Sequence, residues 1–431
     1  MKICLINPPK PNLGDPKQQF PLGLLYLKSF TNKNIDWADI SIVDYSCEKG
    51  FDFIKGIPDA ELYGLTSTTL DYDICVKIAS ELKQLHKNCK VILGGPHASS
   101  CYREISSSIF DSCIIGEGEL SFLKLLYDLR YSGRISPAYS SNFIEDIDTI
   151  PYPDRASVSD DCVRAYSIFA FGKTFSDGGS TSILTSRGCP YACGFCASNK
   201  FWKRKVRYNS VEYVIGEINQ IINDYGIRQL RFQDDTFSLN KVRLFKLCDE
   251  MEKLNIYFRC SLRVNTVDRE ILGALYRAGC REVGYGIESM DQRVLNLLCK
   301  GTTVEQNYEA IKMTKEFDIL ARIFIMTGTP GETKETVDKN IEFFEKAAPD
   351  IITLNLFAPL PGSEIFSSPE RYNCTVLEKD YRKYCFNLSK HKECVPNVLN
   401  NDIGIEEMTE NINRMRRYIF DYTKVNTGVN I

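Results

Sequence analysis

The segment Thr185-Ser-Arg-Gly-Cys-Pro-Tyr-Ala-Cys-Gly-Phe-Cys196 carries three cysteines in a C-x3-C-x2-C spacing. Three thiolates this close together can bind one small metal centre and leave one coordination position open. Iron–sulfur clusters are bound mainly by cysteine thiolates, usually by four of them. The trio of Cys189, Cys193 and Cys196 therefore predicts a cluster whose fourth ligand comes from another molecule.

Two other interpretations of the trio remain open on spacing alone. A structural zinc site takes four protein ligands, typically from paired C-x2-4-C units. No second such pair lies near the trio, and the histidines of the chain are His86, His97 and His391. Buried cysteines that bind nothing are the second alternative. The spacing favours the cluster over both.

The composition describes a globular protein without an obvious polyanionic or membrane partner. The chain has 431 residues, 43% hydrophobic and 25% charged, which suits two or three domains. A net charge of −3 gives no case for nucleic acid, and the run Lys203-Arg-Lys-Val-Arg207 is interpreted as a solvated face or an anion contact. No apolar stretch reaches the roughly 18 residues of a membrane span, and the N-terminus lacks signal-peptide features. We therefore expect a cytoplasmic protein whose 17 cysteines serve metal binding and core packing.

Residues 1–135 alternate short apolar runs with helical patterns. Such alternation predicts a parallel sheet with helices on both faces. Five runs are strand candidates: Ile3–Asn7, Ile40–Asp44, Leu62–Thr66, Val91–Gly94 and Cys113–Ile115. The prediction is an α/β domain with a Rossmann-like or flavodoxin-like doubly wound parallel sheet.

The loops after these strands are candidates for a cofactor site, because ligands of doubly wound sheets bind beyond the carboxyl ends of the strands. Three of the loops are rich in glycine or hydroxyl groups, and glycine lets backbone approach a ligand closely. A glycine after a strand is often only a turn, so each loop alone is weak support. The candidate residues are Thr66, Ser67, Thr68, Gly94, Gly95, Pro96, His97, Gly116, Glu117, Gly118 and Glu119.

A second alternation follows a proline-punctuated segment, 136–178, that we predict to be a linker. Six strand candidates are separated by helical patterns: Thr181–Thr185, Arg228–Phe232, Tyr257–Ser261, Glu282–Gly286, Arg322–Met326 and Ile351–Leu356. Six strand–helix units over 179–365 predict a partial (β/α)6 TIM-type barrel, with the cysteine loop on its C-terminal face. Residues 366–431 are predicted to form a helical extension.

Four further segments follow the trio in a fixed order. They are Phe232-Gln-Asp-Asp-Thr-Phe237, Gly284-Tyr-Gly-Ile-Glu-Ser289, Lys300-Gly-Thr-Thr-Val304 and Met326-Thr-Gly-Thr-Pro-Gly-Glu332. With the trio, they resemble the successive strand-end motifs of the radical S-adenosylmethionine (SAM) superfamily. The motifs are short, but the ordered set is specific.

The N-terminal half resembles the cobalamin-binding domain that is fused to one large branch of that superfamily. The matching segments are Pro21-Leu-Gly-Leu-Leu-Tyr-Leu27, Val91-Ile-Leu-Gly-Gly-Pro-His97, Gly116-Glu-Gly-Glu119 and Asp146-Ile-Asp-Thr-Ile-Pro-Tyr-Pro153. Many cobalamin-binding domains offer a histidine to cobalt from an Asp-x-His-x-x-Gly motif, whereas Val43-Asp-Tyr-Ser-Cys-Glu48 contains none. A cobalamin bound here would lack that ligand, and a domain that has lost cobalamin binding stays open. His97 is a candidate polar contact or a turn residue.

The resemblance implies the cofactor chemistry. Cys189, Cys193 and Cys196 would bind a [4Fe–4S] cluster, and the amino and carboxylate groups of SAM would fill the open iron position. An electron from a donor such as flavodoxin or ferredoxin would cleave SAM to a 5′-deoxyadenosyl radical, which takes a substrate hydrogen. The cofactor supplies this chemistry, and the protein supplies position and electrostatics.

The resemblance also suggests roles for individual residues. Phe195 would flank the adenine, Arg263 would pair with the methionine carboxylate, and Glu288 would accept hydrogen bonds from the ribose. Asp234 and Asp235 suit the methionine ammonium or the substrate. For each polar residue, the alternative is an ordinary solvated loop contact. Three residues of the fifth-strand loop would let backbone approach the cofactor: Gly328, Pro330 and Gly331.

The leading hypothesis is a cobalamin-dependent radical methyltransferase that acts on an unactivated carbon. A non-methylating rearrangement, cyclisation or coupling enzyme is the first alternative, and a cobalamin-sensing or redox-sensing binding protein is the second. The substrate class stays open among small molecules, lipids and peptides. A second metal site at Cys374, Cys385 and Cys394 has little support, because these cysteines form no close pair.

Overall fold

The computed structural model describes residues 1–10, 20–47, 56–164, 169, 173–378, 380, 383–384, 388 and 395–427. The chain divides into two compact units. The first comprises Met1–Ala165 with Arg207–Ser210, and the second comprises Tyr166–Val206 with Val211–Ile431. Each unit contains a six-stranded sheet in which all neighbouring strands are parallel.

The sheet of the first unit has six strands: β1 Lys2–Asn7, β2 Asp39–Asp44, β3 Leu62–Thr66, β4 Lys90–Gly94, β5 Ser112–Ile115 and β6 Ala138–Ser140. Its helices are α1 Leu22–Asn34, α2 Tyr72–Leu85, α3 Gly95–Cys101, α4 Gly118–Ser132 and α5 Asp160–Val163. The strand order is β2-β1-β3-β4-β5-β6. The first five strands follow the flavodoxin-like order, whose direction switches between β1 and β3. The predicted doubly wound parallel sheet is confirmed.

Alternate residues of β1 pack into two different cores. Ile3 and Leu5 belong to a buried cluster with residues of α1 and α4, such as Phe122. Cys4 and Ile6 belong to the cluster on the opposite face, which contains residues of α2. A strand that is buried on both faces has a continuous run of apolar residues, so these strands could be predicted from the sequence.

The sixth strand of this sheet lies in the segment predicted as a linker. Ala138–Ser140 pairs in parallel with β5, and the first unit extends to Ala165. The strand has three residues, is at the edge of the sheet and contains one buried side chain, Tyr139. So short an edge strand leaves little apolar pattern, and the linker prediction did not contain it.

The described residues after Val163 contain ten further strands: β7 Ser180–Ile183, β8 Ser186–Arg187, β9 Arg207–Tyr208, β10 Gln229–Phe232, β11 Tyr257–Leu262, β12 Cys280–Glu288, β13 Leu320–Thr327, β14 Ile351–Leu356, β15 Cys374–Val376 and β16 Val398–Asn400. Their helices are α6 Ser198–Trp202, α7 Val211–Tyr225, α8 Lys241–Glu252, α9 Arg269–Arg277, α10 Gln292–Leu297, α11 Val304–Glu316, α12 Lys334–Ala347, α13 Glu364–Ser367 and α14 Ile405–Thr427. The main sheet has the order β7-β10-β11-β12-β13-β14. This arrangement confirms the partial barrel.

The barrel strands separate a helix-facing side from an interior side. In β11, Phe258, Cys260 and Leu262 are buried, whereas Arg259 and Ser261 between them are half-buried. The same alternation runs through β13. Because the strands are parallel, their carboxyl ends lie at one edge, where the cysteine loop follows β7.

The C-terminal extension contains a strand pair as well as the predicted helix. β15 and β16 are antiparallel, and Met408, Ile412 and Met415 of α14 are buried. Cys374 is buried in β15, whereas Cys385 and Cys394 lie outside the described residues. Across the described ranges, no helix is both long enough and apolar enough to cross a lipid bilayer.

Candidate active site

The cysteine loop is shaped by a glycine at its start. Gly188 has a φ of +99°, and a Cβ at this position would overlap the carbonyl oxygen of Lys205. Only glycine meets both conditions without distortion. Further along, the amide of Gly194 donates to the carbonyl of Leu298 at 2.9 Å. The hydrogen bond of Gly194 therefore ties the middle of the trio to the segment that follows α10.

The last two cysteines lie on one tight turn. The amide of Cys196 donates to the carbonyl of Cys193 at 3.0 Å, and Asn199 Nδ2 donates to the same carbonyl at 2.9 Å. Cys193 is buried, and Cys189 and Cys196 are half-buried. The structure thus keeps the three sequence-predicted ligands on one short loop.

Burial makes the thiols of Cys189 and Cys196 weaker acids. Desolvation raises the pKa of Cys189 and raises that of Cys196 to about 11, and the negative charge of Asp235 adds to both shifts. Ligation to iron requires the thiolate, so metal binding would release protons here. Within the described part of the chain, no three side chains are placed to hold a single metal ion. Three thiols spaced along one loop fit the cysteine ligands of an iron–sulfur cluster.

The carboxylate of Asp234 accepts hydrogen bonds from other groups of the protein. Its Oδ2 accepts from the amide of Thr185 at 3.1 Å, and its Oδ1 accepts from the hydroxyls of Thr185, at 2.8 Å, and Ser186. The carboxyl group is 3% exposed, and desolvation raises its pKa. These contacts fasten the segment that leads from β7 into the cysteine loop. The geometry favours a positioning role over the predicted contact with a ligand.

Asp235 is the member of the acidic pair that remains available to a ligand. It is exposed, and Ser198 Oγ donates to its Oδ2 at 3.0 Å. Crowding by neighbouring protein atoms raises its pKa, and the charge of Asp234 raises it further. Asp234 therefore bonds to the segment before the trio, and Asp235 bonds to Ser198, just after the last cysteine of the trio.

Arg263 presents a buried cation beside the trio. Its guanidinium lies 3.8 Å from the ring centroid of Tyr191, and its Nη1 lies 3.5 Å from Cys193 Sγ. The residue is 6% exposed, and its Nε has no hydrogen-bond partner among the residues that the structure describes. A buried guanidinium with an unused donor beside the cluster ligands fits the carboxylate of SAM. Sequence reasoning missed Tyr191, which lies between two ligands without any signal for this role.

Glu288 lies at the end of β12 in a left-handed backbone conformation, with a φ of +65°. Its Oε1 forms an ion pair with Lys300 Nζ at 2.9 Å, and both residues are nearly buried. The predicted contact with ribose stays a prediction. Lys300 was visible in the Lys-Gly-Thr-Thr segment, but the separation of twelve positions in the sequence gave no sign of its pairing with Glu288.

Phe195 packs into the protein between two ligand cysteines. Its half-buried ring joins a cluster that includes Leu298, Ile365 and Tyr372, and Lys300 Nζ lies 5.7 Å from the ring centroid. This packing steadies the loop. The predicted contact with adenine is not tested by it and stays a prediction.

The loop after β13 owes its shape to a glutamate. Glu332 Oε1 accepts from the amide of Gly328 at 3.0 Å and from Thr327 Oγ1 at 2.9 Å. Glu332 is 1% exposed, and burial raises its pKa to about 7. Gly328 and Gly331 have positive φ angles, of +71° and +74°. The close approach of this loop, including Pro330, to a cofactor stays a prediction.

In the first unit, the loops after β3 and β4 interlock. Gly95 has a φ of +90°, and a Cβ there would lie 2.8 Å from Ser67 O and Thr66 Oγ1. The amide of Ser67 donates to Gly94 O at 3.0 Å. Pro96 occupies the first turn of α3. The predicted residues of these two loops therefore form one connected edge beside the β1/β3 switch point.

Asp71, which sequence reasoning did not single out, organises the first of these loops. Its carboxylate accepts from the amide of Thr68 at 2.7 Å, from Thr68 Oγ1 at 2.9 Å and from Ser67 Oγ at 3.1 Å. Lys10 Nζ completes the arrangement at 2.9 Å. The side-chain donors of Ser67 and Thr68 are thus occupied within the loop.

His97 is a buried helix residue rather than a turn residue. It lies in α3, its Nδ1 is 3.3 Å from Thr69 Oγ1, and its ring centroid is 4.2 Å from that of Tyr72. Burial lowers its pKa to about 4, so the imidazole is neutral at physiological pH. A contact of His97 with cobalamin stays a prediction.

The loop after β5 combines an open backbone with a paired carboxylate. Gly116 has a φ of +77° and no heavy atom within 4 Å of an added Cβ, so a ligand can approach its backbone. Glu117 Oε2 accepts from Arg207 Nη1 and from the amide of Ile144, both at 2.9 Å. Gly118 and Glu119 begin α4, and Glu119 is buried. The open space beside Gly116 fits a cofactor. Glu117 instead stabilises the first unit through its bonds to Arg207 and Ile144.

Comparisons with known proteins agree with both units. The profile of the radical SAM superfamily matches residues 183–344, and that of the B12-binding domain matches residues 16–126. An uncharacterised methyltransferase of Pyrococcus horikoshii is 32% identical, over 89% of this chain and 86% of that protein. The anaerobic magnesium-protoporphyrin IX monomethyl ester cyclase of Cereibacter sphaeroides is 28% identical, over 82% of this chain and 59% of its own length.

A solved structure supports the fold across both units. The radical SAM methyltransferase TsrM from Kitasatospora setae, with cobalamin and a [4Fe–4S] cluster bound, superposes with a TM-score of 0.70. The match covers 97% of this chain and 89% of that chain at 16% identity. Together with the site geometry, these matches show that the chain belongs to the radical SAM superfamily, in the branch with a B12-binding domain, and is a radical SAM enzyme whose cofactors are a [4Fe–4S] cluster, SAM and cobalamin.

Proposed function

We propose that this enzyme is a methyltransferase that places a methyl group on an unactivated carbon of its substrate. The observation that supports this proposal most strongly is that the chain contains both a cysteine loop, with Arg263 beside Cys193, and a B12-binding domain. The relative with 32% identity is named as a methyltransferase and spans nearly the whole chain. A B12-binding domain in the same chain as a radical-generating barrel suits methyl transfer, because cobalamin is a methyl carrier.

The residues of the chain bind and orient the reactants. When bound, the cluster and SAM supply the radical that removes a hydrogen, and cobalamin supplies the methyl group. Arg263, whose guanidinium lies over the ring of Tyr191, would pair with the carboxylate of SAM. Asp234 would keep the cysteine loop in register through Thr185, while Asp235 would bind the ammonium of SAM or a polar group of the substrate.

We also propose the setting in which the enzyme works. Reduction of the cluster calls for a one-electron donor, for which a flavodoxin or ferredoxin is suitable, and a reducing cytoplasm would protect the cluster ligands. The substrate would be a small molecule, a lipid or a peptide, because the net charge of −3 offers no general attraction for nucleic acid.

Anaerobic reconstitution tests the proposed function. Protein loaded with iron, sulfide and hydroxocobalamin is reduced in the presence of SAM, and the products are separated by liquid chromatography. We expect both 5′-deoxyadenosine, from radical formation, and S-adenosylhomocysteine, from methyl donation. Cys193→Ala should lose the visible absorbance of the cluster and the 5′-deoxyadenosine, whereas Cys299→Ala, which changes an exposed cysteine, should keep both.

Two competing functions give different product patterns. A rearrangement, cyclisation or coupling enzyme, which the similarity to the Cereibacter cyclase favours, would form 5′-deoxyadenosine without S-adenosylhomocysteine. A sensing protein would retain corrinoid and form neither product. Either pattern, obtained from protein with an intact cluster, would replace methyl transfer as the function.

A further inference from the structure

Gly194, between the second and third cysteines of the trio, has no room for a side chain. A Cβ built at this position would lie 2.5 Å from the hydroxyl oxygen of Tyr372 and 2.6 and 2.7 Å from two of its ring carbons. The φ of Gly194 is not positive, so backbone conformation does not call for glycine here. The space taken by the Tyr372 ring therefore requires glycine at this position.

Two residues that follow β14, the last strand of the barrel sheet, contact Gly194. Tyr372 contributes the ring, and Ile365 contributes an amide that donates to the carbonyl of Gly194 at 3.0 Å. With the hydrogen bond from the Gly194 amide to Leu298, both polar backbone groups of this glycine are paired within the protein. The backbone between the last two cysteines of the trio is thus held by the segment after the barrel as well as by the barrel.

Tyr372 is itself fixed by its surroundings. It is 4% exposed and lies in an apolar cluster with Ile365 and Phe195. Burial raises the pKa of its phenol, and the neighbouring Glu364 and Cys299 raise it further, so the group stays protonated at physiological pH. An uncharged, buried ring contributes its shape and its rigid position to the site.

The same segment contacts a second loop of the barrel. Cys374 begins β15, whose antiparallel partner β16 ends at Asn400. Asn400 is fully buried, and its Nδ2 donates to the carbonyl of Glu332 at 2.8 Å. Because Glu332 shapes the loop after β13, the segment after β14 supports both the cysteine loop and a loop that we predict to approach a cofactor.

An ordinary core tyrosine is the alternative interpretation. A core side chain packs against other side chains, and its loss lowers stability without acting on one particular loop. Tyr372 instead contacts the backbone of a glycine that lies between two cluster ligands, so a shift of its ring would move Cys193 or Cys196. The residues of a functional site have to be held within about 0.5 Å of their working positions, and a rigid ring against bare backbone does this.

We propose that Tyr372 is a positioning residue for the cluster, whose ring fixes the backbone of Gly194 and thereby the positions of Cys193 and Cys196. Replacing a residue that orients metal ligands from outside typically costs roughly 10–100-fold in metal affinity or activity. The proposal concerns the cluster and SAM, and it holds whether or not the enzyme transfers a methyl group.

Anaerobic reconstitution of the full chain with iron and sulfide provides the test. The measured quantities are iron per chain, the electron paramagnetic resonance signal of the reduced cluster with and without SAM, and the Kd of labelled SAM. Tyr372→Ala should alter the signal and weaken SAM binding about tenfold, whereas Tyr372→Phe, which keeps the ring, should match wild type. Gly64→Ala is the control for general instability and should change neither, because its Cβ would lie 2.8 Å from Leu5 Cδ2 inside the first unit.

A double variant tests the contact itself. Gly194→Ala puts a methyl group into the space of the Tyr372 ring and should weaken SAM binding about a hundredfold. In the Tyr372→Ala background that space is free, so Gly194→Ala should have no further effect there. The two changes are therefore expected to be non-additive, with the double variant equal to Tyr372→Ala alone.

Two results would overturn the proposal. The first is a Tyr372→Ala protein with a lower urea midpoint but the wild-type signal and Kd, which would make Tyr372 a core residue only. The second is a Gly194→Ala effect of the same size with and without Tyr372. If Tyr372→Ala fails to fold, Tyr372→Leu replaces it in both comparisons. Variants that behave as expected, in a protein whose wild type forms no S-adenosylhomocysteine, would support the role of Tyr372 and refute methyl transfer.

Discussion

Replacement of Arg263 by methionine is the sharpest test of the SAM site. Arg263 is 6% exposed, its Nη1 lies 3.5 Å from Cys193 Sγ, and its Nε has no hydrogen-bond partner among the described residues. A hydrogen bond to a charged group contributes about 1.5–3 kcal/mol, and a lost bidentate pair leaves the carboxylate of SAM without a partner. A loss of about 3 kcal/mol corresponds to roughly a hundredfold weaker binding.

The assay is equilibrium dialysis of labelled SAM against cluster-loaded protein under anaerobic conditions. Arg263→Met should raise the Kd for SAM about a hundredfold while the cluster absorbance per chain is unchanged. The unfolding midpoint of the apoprotein in urea should stay the same or rise, because the change removes a buried charge that lacks a carboxylate partner among the described residues. Arg281→Met is the control, since Arg281 also lies over tyrosine rings but away from the trio.

The account of Arg263 would be wrong if the variant kept its cluster and bound SAM within about threefold of wild type. A loss of both the cluster and SAM binding, with a lower unfolding midpoint, would assign Arg263 to the structure of the loop instead.

Three further changes test the supports of the site. Gly188→Ala should prevent full cluster incorporation, measured as iron per chain. Gly226→Ala is the control, because Gly226 also has a positive φ but has open space around it. This control should lower the free energy of unfolding by about 1 kcal/mol and keep the cluster. Asp234→Ala should lower the free energy of unfolding of the apoprotein by about 2–4 kcal/mol, because it strands buried donors, and Asp235→Ala should lower it by less than about 1 kcal/mol; equal losses in urea titrations would contradict the assignment of the pair. The folded-state pKa of Glu332 is raised from 4.5 to about 7, so its contribution to stability is full below pH 4.5 and is lost as the pH rises to 7. Glu332→Gln should remove a pH dependence on the order of 3 kcal/mol across this window, and matching urea midpoints of wild type and variant at each pH would refute it.

The fold was largely predictable because its strands are buried on both faces. Leu62–Thr66 was predicted with the bounds that the structure has, since its residues form a single apolar run between polar turns. Ala138–Ser140 was not predicted, because a three-residue strand at the edge of a sheet has too few buried side chains to give an apolar pattern in the sequence. The β15–β16 pair escaped for the same reason.

The site was predictable at the level of loops rather than side chains. The order of motifs places Asp234, Asp235 and Glu288 at strand ends on one edge of the barrel sheet. It does not show which carboxylate turns toward Thr185, nor that Lys300 returns across twelve residues to pair with Glu288. Such pairings depend on three-dimensional packing.

The most direct test of the central claim follows the methyl group itself. Wild-type enzyme, loaded with cluster and hydroxocobalamin, is reduced with SAM that carries a trideuterated methyl group, and the corrinoid is then extracted and analysed by mass spectrometry. The account predicts the intact trideuteromethyl group on the corrinoid, together with S-adenosylhomocysteine. Formation of 5′-deoxyadenosine by the same sample, with the corrinoid unlabelled and the label found only in SAM and methionine, would contradict it.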